Sequence, residues 1–134
     1  MGHPQKVARL PWDTDLIDAF APSIHANPWG FGRAHEVLHQ SEAFEFSLNG
    51  QQALVAVRPV RRLDGIRLDV VALVSTGDRL RATNADDALL QIASMYQADQ
   101  LAMSTMRPHI AKLAQRTGWQ QTGVLMIKKL GTLQ

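Results

Sequence analysis

The sequence predicts one mixed α/β domain, built from a mostly antiparallel sheet and about four helices. Three apolar runs at 44–48, 53–60 and 68–75 indicate consecutive strands, because the Asn-Gly and Asp-Gly pairs between them favour tight hairpins. An amphipathic pattern follows over 85–96, where apolar residues recur at three and four positions. The chain has 134 residues, of which 46% are hydrophobic, and this suits a single domain spanning 1–134.

The complete predicted order is β-α-α-β-β-β-α-β-α-β. The elements outside the central meander are a strand at 6–10, helices at 14–24 and about 33–41, a helix at 83–96, a strand at 101–104, a helix at 108–118 and a final strand at 124–130. Asp13 or Thr14 is expected to cap the first helix, and Pro22 to kink or end it. Thr83 is the expected cap of the third helix, and Gly118 is the expected C-terminal cap of the fourth.

Composition excludes several classes of function. The chain has no cysteine, so disulfides, thiolate zinc sites and a cysteine nucleophile are excluded. The net charge is only +2, which does not predict a nucleic-acid-binding surface. Four arginines flank the predicted turn at 64–65, and we interpret them as a charged hairpin tip that keeps the sheet edge soluble: Arg58, Arg61, Arg62 and Arg67. No signal peptide or membrane span is expected, which favours a cytoplasmic protein.

The element order resembles the fold of the acyl-CoA N-acyltransferases of the GNAT superfamily across nearly the whole chain. The most specific stretch joins the strand at 101–104, the following helix, the Gly118-Trp119 corner and the apolar run at 126–130. In this resemblance Gly118 ends the helix and Trp119 packs under the sheet. The resemblance implies an acetyl-CoA-dependent N-acetyltransferase with an amine acceptor that the sequence does not name.

The resemblance also implies a place for the cofactor. In GNAT proteins the strand matching 68–75 splays from the strand matching 101–104, the pantetheine arm lies between them, and a glycine-containing loop holds the pyrophosphate at a helix N-terminus. The positions that match this cofactor site are Val74, Ser75, Arg79, Arg81, Asn84 and Ala85. Asn84 and Asp86 stand where the family has glycine, so we predict a degenerate CoA-binding loop. Asp86 and Asp87 are interpreted as residues that satisfy the helix dipole.

The catalytic positions of the family are also altered. Many members place a tyrosine and an asparagine on the helix matching 108–118, where this chain has about Ala114 and Arg107. Tyr96 is interpreted as a core residue. A backbone N–H near Val74 is the expected oxyanion donor. The candidates for a general base near the substrate amine are Glu45, Asp69 and His109.

A second hypothesis is a non-catalytic protein that uses the same fold for assembly. The segment at 108–118 is similar to GNAT-like internal virion proteins of tailed phages. This resemblance implies a phage or prophage structural protein, associated with the virion and bound to a protein partner. Trp29 and Phe31, in a loop rich in glycine and proline, would suit such contacts.

A third hypothesis comes from a literal H-E-x-x-H motif formed by His35, Glu36 and His39. On a helix the two histidines share one face and could bind zinc while the glutamate activates a water, as in a metallopeptidase. The usual downstream ligands are absent, and Glu42, Glu45 and His109 stand at no diagnostic spacing. The preferred interpretation is an amphipathic helix without a metal.

Overall fold

The computed structural model describes residues 6–25, 38–48, 51–75, 82–104 and 108–123, together with Met126, Lys128 and Gly131. The elements over these residues are β1 (Lys6–Leu10), α1 (Thr14–His25), β2 (Glu42–Leu48), β3 (Gln51–Arg62), β4 (Gly65–Ser75), α2 (Ala82–Met95), β5 (Gln100–Met103) and α3 (Pro108–Arg116). The predicted mixed fold is confirmed, and so is the predicted order of the elements from β2 to α3. The strands of the meander are longer than their apolar runs predicted.

In the described part of the chain, all the strands join in one sheet with the order β1-β2-β3-β4-β5. The first four strands pair antiparallel with their neighbours. β5 pairs with β4 in parallel, because α2 carries the chain back across the sheet before β5 begins. The predicted meander followed by a β-α-β unit is therefore confirmed.

The sheet is buried on both faces by helices. On one face α2 covers a core that consists of Phe44, Phe46, Ala53, Val55, Val57, Leu68, Ala85, Ala88, Leu89, Ile92 and Ala93. On the other face α1 covers a smaller core that consists of Leu16, Phe20, Ile24, Leu38, Ala43, Ala56 and Ala72. Alternate residues of β2 and β3 enter opposite cores, as the two-residue period of a strand requires.

α1 begins as the sequence predicts and ends later. The N–H of Leu16 donates to the Asp13 carboxylate over 2.7 Å, which makes Asp13 the cap. Pro22 lies inside the helix, which continues to His25, so the expectation that Pro22 ends it is wrong. Buried Phe20 and Ile24 lie on either side of the proline, and their packing on the sheet holds the last turn in place.

Two predicted helix boundaries are corrected. Residues 38–40 form a turn, so the helix expected at about 33–41 does not extend to Ser41. Gln40 has a φ of 63°, a left-handed conformation that cannot continue a right-handed helix. The rest of that predicted helix lies outside the described residues. α2 begins at Ala82, which places the expected cap Thr83 inside the helix.

In the C-terminal region, the predicted helix cap is confirmed and the predicted final strand is wrong where it is described. α3 ends at Arg116, and Gly118 follows with a φ of 96°, as a helix C-terminal cap requires. Met126 and Lys128 lie outside any strand, contrary to the predicted final strand at 124–130, and Met126 is 88% exposed. An apolar run becomes a strand only where a neighbour supplies hydrogen bonds, which a sequence pattern does not show. The other residues of this run lie outside the described part.

Candidate active site at the fork between two strands

The sheet opens into a fork where β5 ends and β4 continues. The two strands pair only from Arg67–Gln100 to Val70–Met103. Beyond Val70, β4 runs on to Ser75 and stays paired with β3 alone among the described strands. The edge of β4 that would face β5 therefore presents backbone groups to the fork, as any unpaired strand edge does.

A bulge in β4 begins this opening. Ala56 lies opposite Ala72, and Val57 lies opposite Val70, so Val71 is an extra residue with no partner on β3. A bulge bends its strand and increases the local twist. The bulge falls one residue past the last pair with β5, where the fork begins.

One backbone donor of β4 contacts a side chain from α1 at this edge. The N–H of Leu73 donates to the Ser23 hydroxyl oxygen over 3.4 Å. Adjacent residues of a strand turn their N–H groups to opposite edges, so Leu73 points into the fork and Val74 points toward β3. The residue whose N–H faces the fork is therefore Leu73, one position before the Val74 that the resemblance indicated.

α2 is the next described element after the end of β4 at which the fork opens. The first four N–H groups of a helix lack partners within the helix and attract anions. Asn84 and Ala85 belong to this first turn. The Ala85 side chain is 9% exposed and lies in the α2-side core, so Ala85 can offer a ligand only its backbone N–H.

Asp86 has a different role from the one its sequence position indicated. It is the fifth residue of α2, and the first turn contains no acidic residue. The indole Nε1–H of Trp119 donates to the Asp86 carboxylate over 2.9 Å, while the Trp119 ring packs against the α2-side core. The bond joins the corner after α3 to α2, and it confirms that the aromatic residue of this corner packs on the core.

Asp69 is the one candidate base with a charged partner that the structure describes. Arg67 donates to it from Nε over 2.7 Å and from a terminal nitrogen over 3.2 Å. This bidentate pair fixes the carboxylate and raises the pKa of Arg67, chiefly through the hydrogen bond to Asp69 and then through its charge. Glu45 is exposed on β2. His109 belongs to α3, and its side chain lies outside the described residues.

The register of the sheet keeps these candidate bases away from Leu73. Asp69 precedes Leu73 by four residues on β4, which is roughly 13 Å at the usual rise of a strand. Glu45 lies in the row of Leu54 and Val74, two strands away and thus about 10 Å from β4. The structure therefore does not bring Glu45 and Asp69 together, and an amine bound near Leu73 would reach either one only through water.

Tyr96 follows α2 directly and packs against the α2-side core, as the sequence predicted. Its ring meets Phe44 edge to face, with ring centroids 6.2 Å apart. Burial raises the pKa of Tyr96 above its usual value, and a hydrogen bond to the Glu42 carboxylate and the charge of that carboxylate raise it further. Glu42 is also ion-paired with Arg9. A phenol held this way stays protonated and links α2 to β1 and β2.

Three of the four arginines around the β3–β4 turn bind protein groups. Arg62 donates to Asp99 over 2.7 Å and lies 3.3 Å from Asp64. Arg67 binds Asp69, and Arg58 donates to the His39 carbonyl over 3.4 Å. These contacts agree with the interpretation of this hairpin as a charged structural tip.

Several predicted residues lie outside the described part of the chain: Trp29, Phe31, His35, Glu36, Arg79, Arg81 and Arg107. His39 is described, and it lies exposed in the turn at 38–40. Among the described residues, no group of three histidine, aspartate or glutamate side chains could hold a metal ion. No helix in those ranges is long and apolar enough to cross a membrane. The metallopeptidase hypothesis therefore stays untested.

Several solved structures with a similar fold are acetyltransferases. The chain is similar to a ribosomal-protein-alanine N-acetyltransferase from Brucella melitensis biovar Abortus 2308, with 17% identity and a TM-score of 0.62 over 95% of this chain and 99% of that one. It is also similar to an aminoglycoside acetyltransferase from an uncultured soil metagenomic sample, with 11% identity and a TM-score of 0.61 over 95% and 99%. A third similar structure is the aminoglycoside N-acetyltransferase AAC(6')-Iy in complex with CoA, with 12% identity and a TM-score of 0.54 over 97% and 96%.

These similarities confirm the GNAT-like fold that the sequence predicted, a mixed α+β fold with a mostly antiparallel sheet. The described residues form three of the roughly four predicted helices. No family model and no curated protein matches the sequence. At these identities the likeness establishes the fold alone.

Sequence reasoning missed two features of the fork. Nothing in the sequence pattern indicated a role for Ser23, because a serine in a helix usually faces solvent or bonds to its own helix. The sequence did not indicate the bulge at Val71 either, because a continuous apolar strand has the same pattern with and without an extra residue. Both depend on how α1 and β3 pack against β4.

Proposed function

We propose that the protein is an acyl-CoA-dependent N-acyltransferase, with acetyl-CoA as the donor and an amine as the acceptor. The observation that carries the proposal is the fork, where β5 ends and β4 continues without a described partner on that edge, just before the chain reaches α2. A narrow, extended pantetheine arm suits a strand edge, and a pyrophosphate suits a helix N-terminus. The likeness to a CoA complex with the same fold supports this assignment.

The chemistry needs few groups from the protein. The amine nitrogen attacks the thioester carbonyl carbon, the carbonyl oxygen gains negative charge, and the carbon–sulfur bond breaks as CoA leaves. The N–H of Leu73 would donate to this oxygen, which stabilises the charge where it develops. Holding amine and thioester in contact supplies much of the remaining acceleration. The proton of the amine passes to water or to the departing thiolate, because the register keeps Glu45 and Asp69 from direct contact.

The phosphate contacts are expected to be weaker than in a glycine-containing loop. Asn84 stands where a glycine would allow close approach, and Ala85 offers its N–H alone. Asp86 opposes the ligand's charge less than its sequence position indicated, because its carboxylate accepts the Trp119 indole N–H. Arg79 and Arg81 are proposed as phosphate ligands that strengthen this site.

Calorimetric titration with acetyl-CoA and with CoA tests the proposal, and we expect saturable binding in the micromolar range. Ser75→Trp places a large side chain on the exposed last residue of β4 and should abolish binding. Ser94→Trp makes the same change at an exposed position in the last turn of α2 and should leave binding intact. No binding by the wild-type protein would reject the enzyme and favour a non-catalytic assembly protein.

A screen of amine acceptors should follow a positive titration. Release of free CoA thiol, measured with a thiol reagent, reports turnover for any acceptor. A positive acceptor should form product with the wild-type protein and with Ser94→Trp, but not with Ser75→Trp.

A further inference from the structure

The contact between Ser23 and Leu73 joins two hydrogen-bonding groups inside the fork. Ser23 is half-buried near the C-terminal end of α1, between Phe20 and Ile24, which are both buried in the α1-side core. Ala72, Val71 and Val74 of β4 pack against the same core. α1 therefore lies firmly on the far half of β4, and the position of the Ser23 hydroxyl is set by packing.

The length of this contact leaves both groups able to bind a further atom. The distance from the Leu73 nitrogen to the Ser23 oxygen is 3.4 Å, beyond the usual 2.9–3.0 Å. A serine hydroxyl that accepts one hydrogen bond still has its own hydrogen to donate. An oxygen atom that entered the fork about 3 Å from both groups could accept from the Leu73 N–H and from the Ser23 O–H at once.

We propose that Ser23 donates a hydrogen bond to the thioester carbonyl oxygen beside the Leu73 N–H, and so makes the site bind acyl-CoA in preference to free CoA. This inference rests on the proposed function and deepens it. Free CoA has no carbonyl at this position, so it leaves the Ser23–Leu73 contact as it is. In the reaction the same two donors would face the oxygen as its charge grows, where hydrogen bonds strengthen.

The test compares dissociation constants for acetyl-CoA and CoA in the wild-type protein and in Ser23→Ala. We expect Ser23→Ala to weaken acetyl-CoA binding about 3- to 10-fold, the usual size of one net hydrogen bond, and to leave CoA binding unchanged. Ser23→Thr keeps the hydroxyl and should retain most of the preference. Ser94→Ala removes an exposed serine from α2 and should change neither dissociation constant.

A ligand without the carbonyl oxygen gives a second test that needs no variant. S-ethyl-CoA replaces the thioester carbonyl by a methylene group, and wild-type protein should bind it no more tightly than CoA. Equal binding of S-ethyl-CoA and acetyl-CoA would overturn the inference.

The outcomes separate the inference from the proposed function. If the wild-type protein binds neither CoA nor acetyl-CoA, the proposed function fails and the inference with it. If it binds both, but Ser23→Ala leaves their ratio unchanged or improves acetyl-CoA binding, the function stands and the inference is wrong. In that case Ser23 would only compete with the ligand for the Leu73 N–H.

Discussion

The two halves of β4 have the same strand conformation and different surroundings. From Gly65 to Val70 the strand pairs with β3 on one side. From Arg67 to Val70 it also pairs with β5 on the other side. Asp99, just before β5, accepts from the Ile66 N–H over 3.0 Å and from Arg62 over 2.7 Å. From Val71 to Ser75 the strand keeps only β3 among the described strands and meets Ser23 of α1 at its open edge. We call these the closed half and the open half.

The difference teaches which part of the strand serves stability and which part is available for a ligand. A side chain at Gly65 would place its Cβ 2.6 Å from the Asp99 carboxylate, and would displace this carboxylate from the position in which it binds Arg62 and Ile66. In the open half, the Leu73 N–H makes a contact of 3.4 Å with Ser23, longer than a usual hydrogen bond. The bulge at Val71 separates the two halves of the strand.

The largest expected contrast between the halves is in core packing. Leu68→Ala in the closed half should lower the free energy of unfolding by about 2–5 kcal/mol, because Leu68 is fully buried. Leu73→Ala in the open half should cost less than half as much, because Leu73 is only half-buried. Urea unfolding measures both, and Leu63→Ala, at the exposed hairpin tip, is the control that should change nothing. Equal losses at Leu68 and Leu73 would remove the distinction.

A smaller effect on stability is expected from the hydrogen bond between Trp119 and Asp86, which joins the corner after α3 to α2. Trp119→Phe keeps an aromatic ring and removes the N–H that binds Asp86, which should lower the free energy of unfolding by about 1–3 kcal/mol. Asp86→Asn, which keeps an acceptor, should cost less than Trp119→Phe. If Trp119→Phe unfolds at the same urea concentration as the wild type, the bond does not anchor α2.

The closed half should lose part of its stability in acid. The hydrogen bond from Arg62 is the main cause that holds the pKa of Asp99 below its usual value, with further bonds from backbone N–H groups. A carboxylate with a lowered pKa in the folded state stabilises the fold above its unfolded pKa of about 3.9 and loses that contribution as pH falls through the folded value. The stability difference between wild type and Asp99→Asn should therefore be present at neutral pH and shrink below about pH 4.

Asp64 provides a control for the contact with Arg62. It lies 3.3 Å from the same guanidinium and is largely exposed, so Asp64→Asn should change the free energy of unfolding at neutral pH less than Asp99→Asn does. A difference for Asp99→Asn that stays constant from neutral to acid pH would contradict the assignment.

The smallest expected effect concerns the other end of α2, and it is spectroscopic. Tyr96 is the chain's single tyrosine, so the absorbance of tyrosinate reports it alone. Burial is the main cause that raises the pKa of Tyr96, and the hydrogen bond to Glu42 and the charge of Glu42 raise it further. The tyrosine should therefore ionise at a pH well above its usual pKa of about 10. A raised pKa stabilises the fold below the unfolded value and loses that contribution as pH rises through the folded one. In Glu42→Gln the midpoint of Tyr96 ionisation should be lower than in the wild type, but still above the usual value, because the burial remains. A wild-type midpoint near the usual value of about 10 would contradict both the burial of Tyr96 and its contact with Glu42.

The fold was predictable because its signals are local. Alternation over 44–48 and the Asn49-Gly50 turn predict a hairpin without knowledge of its neighbours, and the spacing of Ala85, Leu89 and Ile92 predicts the buried face of α2. The site was only partly predictable. The resemblance led to β4 and to the start of α2, but Leu73, and not Val74, faces the fork, because the direction of a backbone N–H depends on which partner pairs with each residue.

The sequence by itself determined the meander, the crossover to β5 and the left-handed turn at Gly118, because each depends on residues close together in the chain. The tertiary structure decided which of Asp13 and Thr14 caps α1, that Asp86 accepts from Trp119, that Val71 is a bulge and that Ser23 meets Leu73. The last three of these features join different elements or set the register of two strands. The free energy that selects them comes from packing helices on the sheet, and no local pattern encodes it.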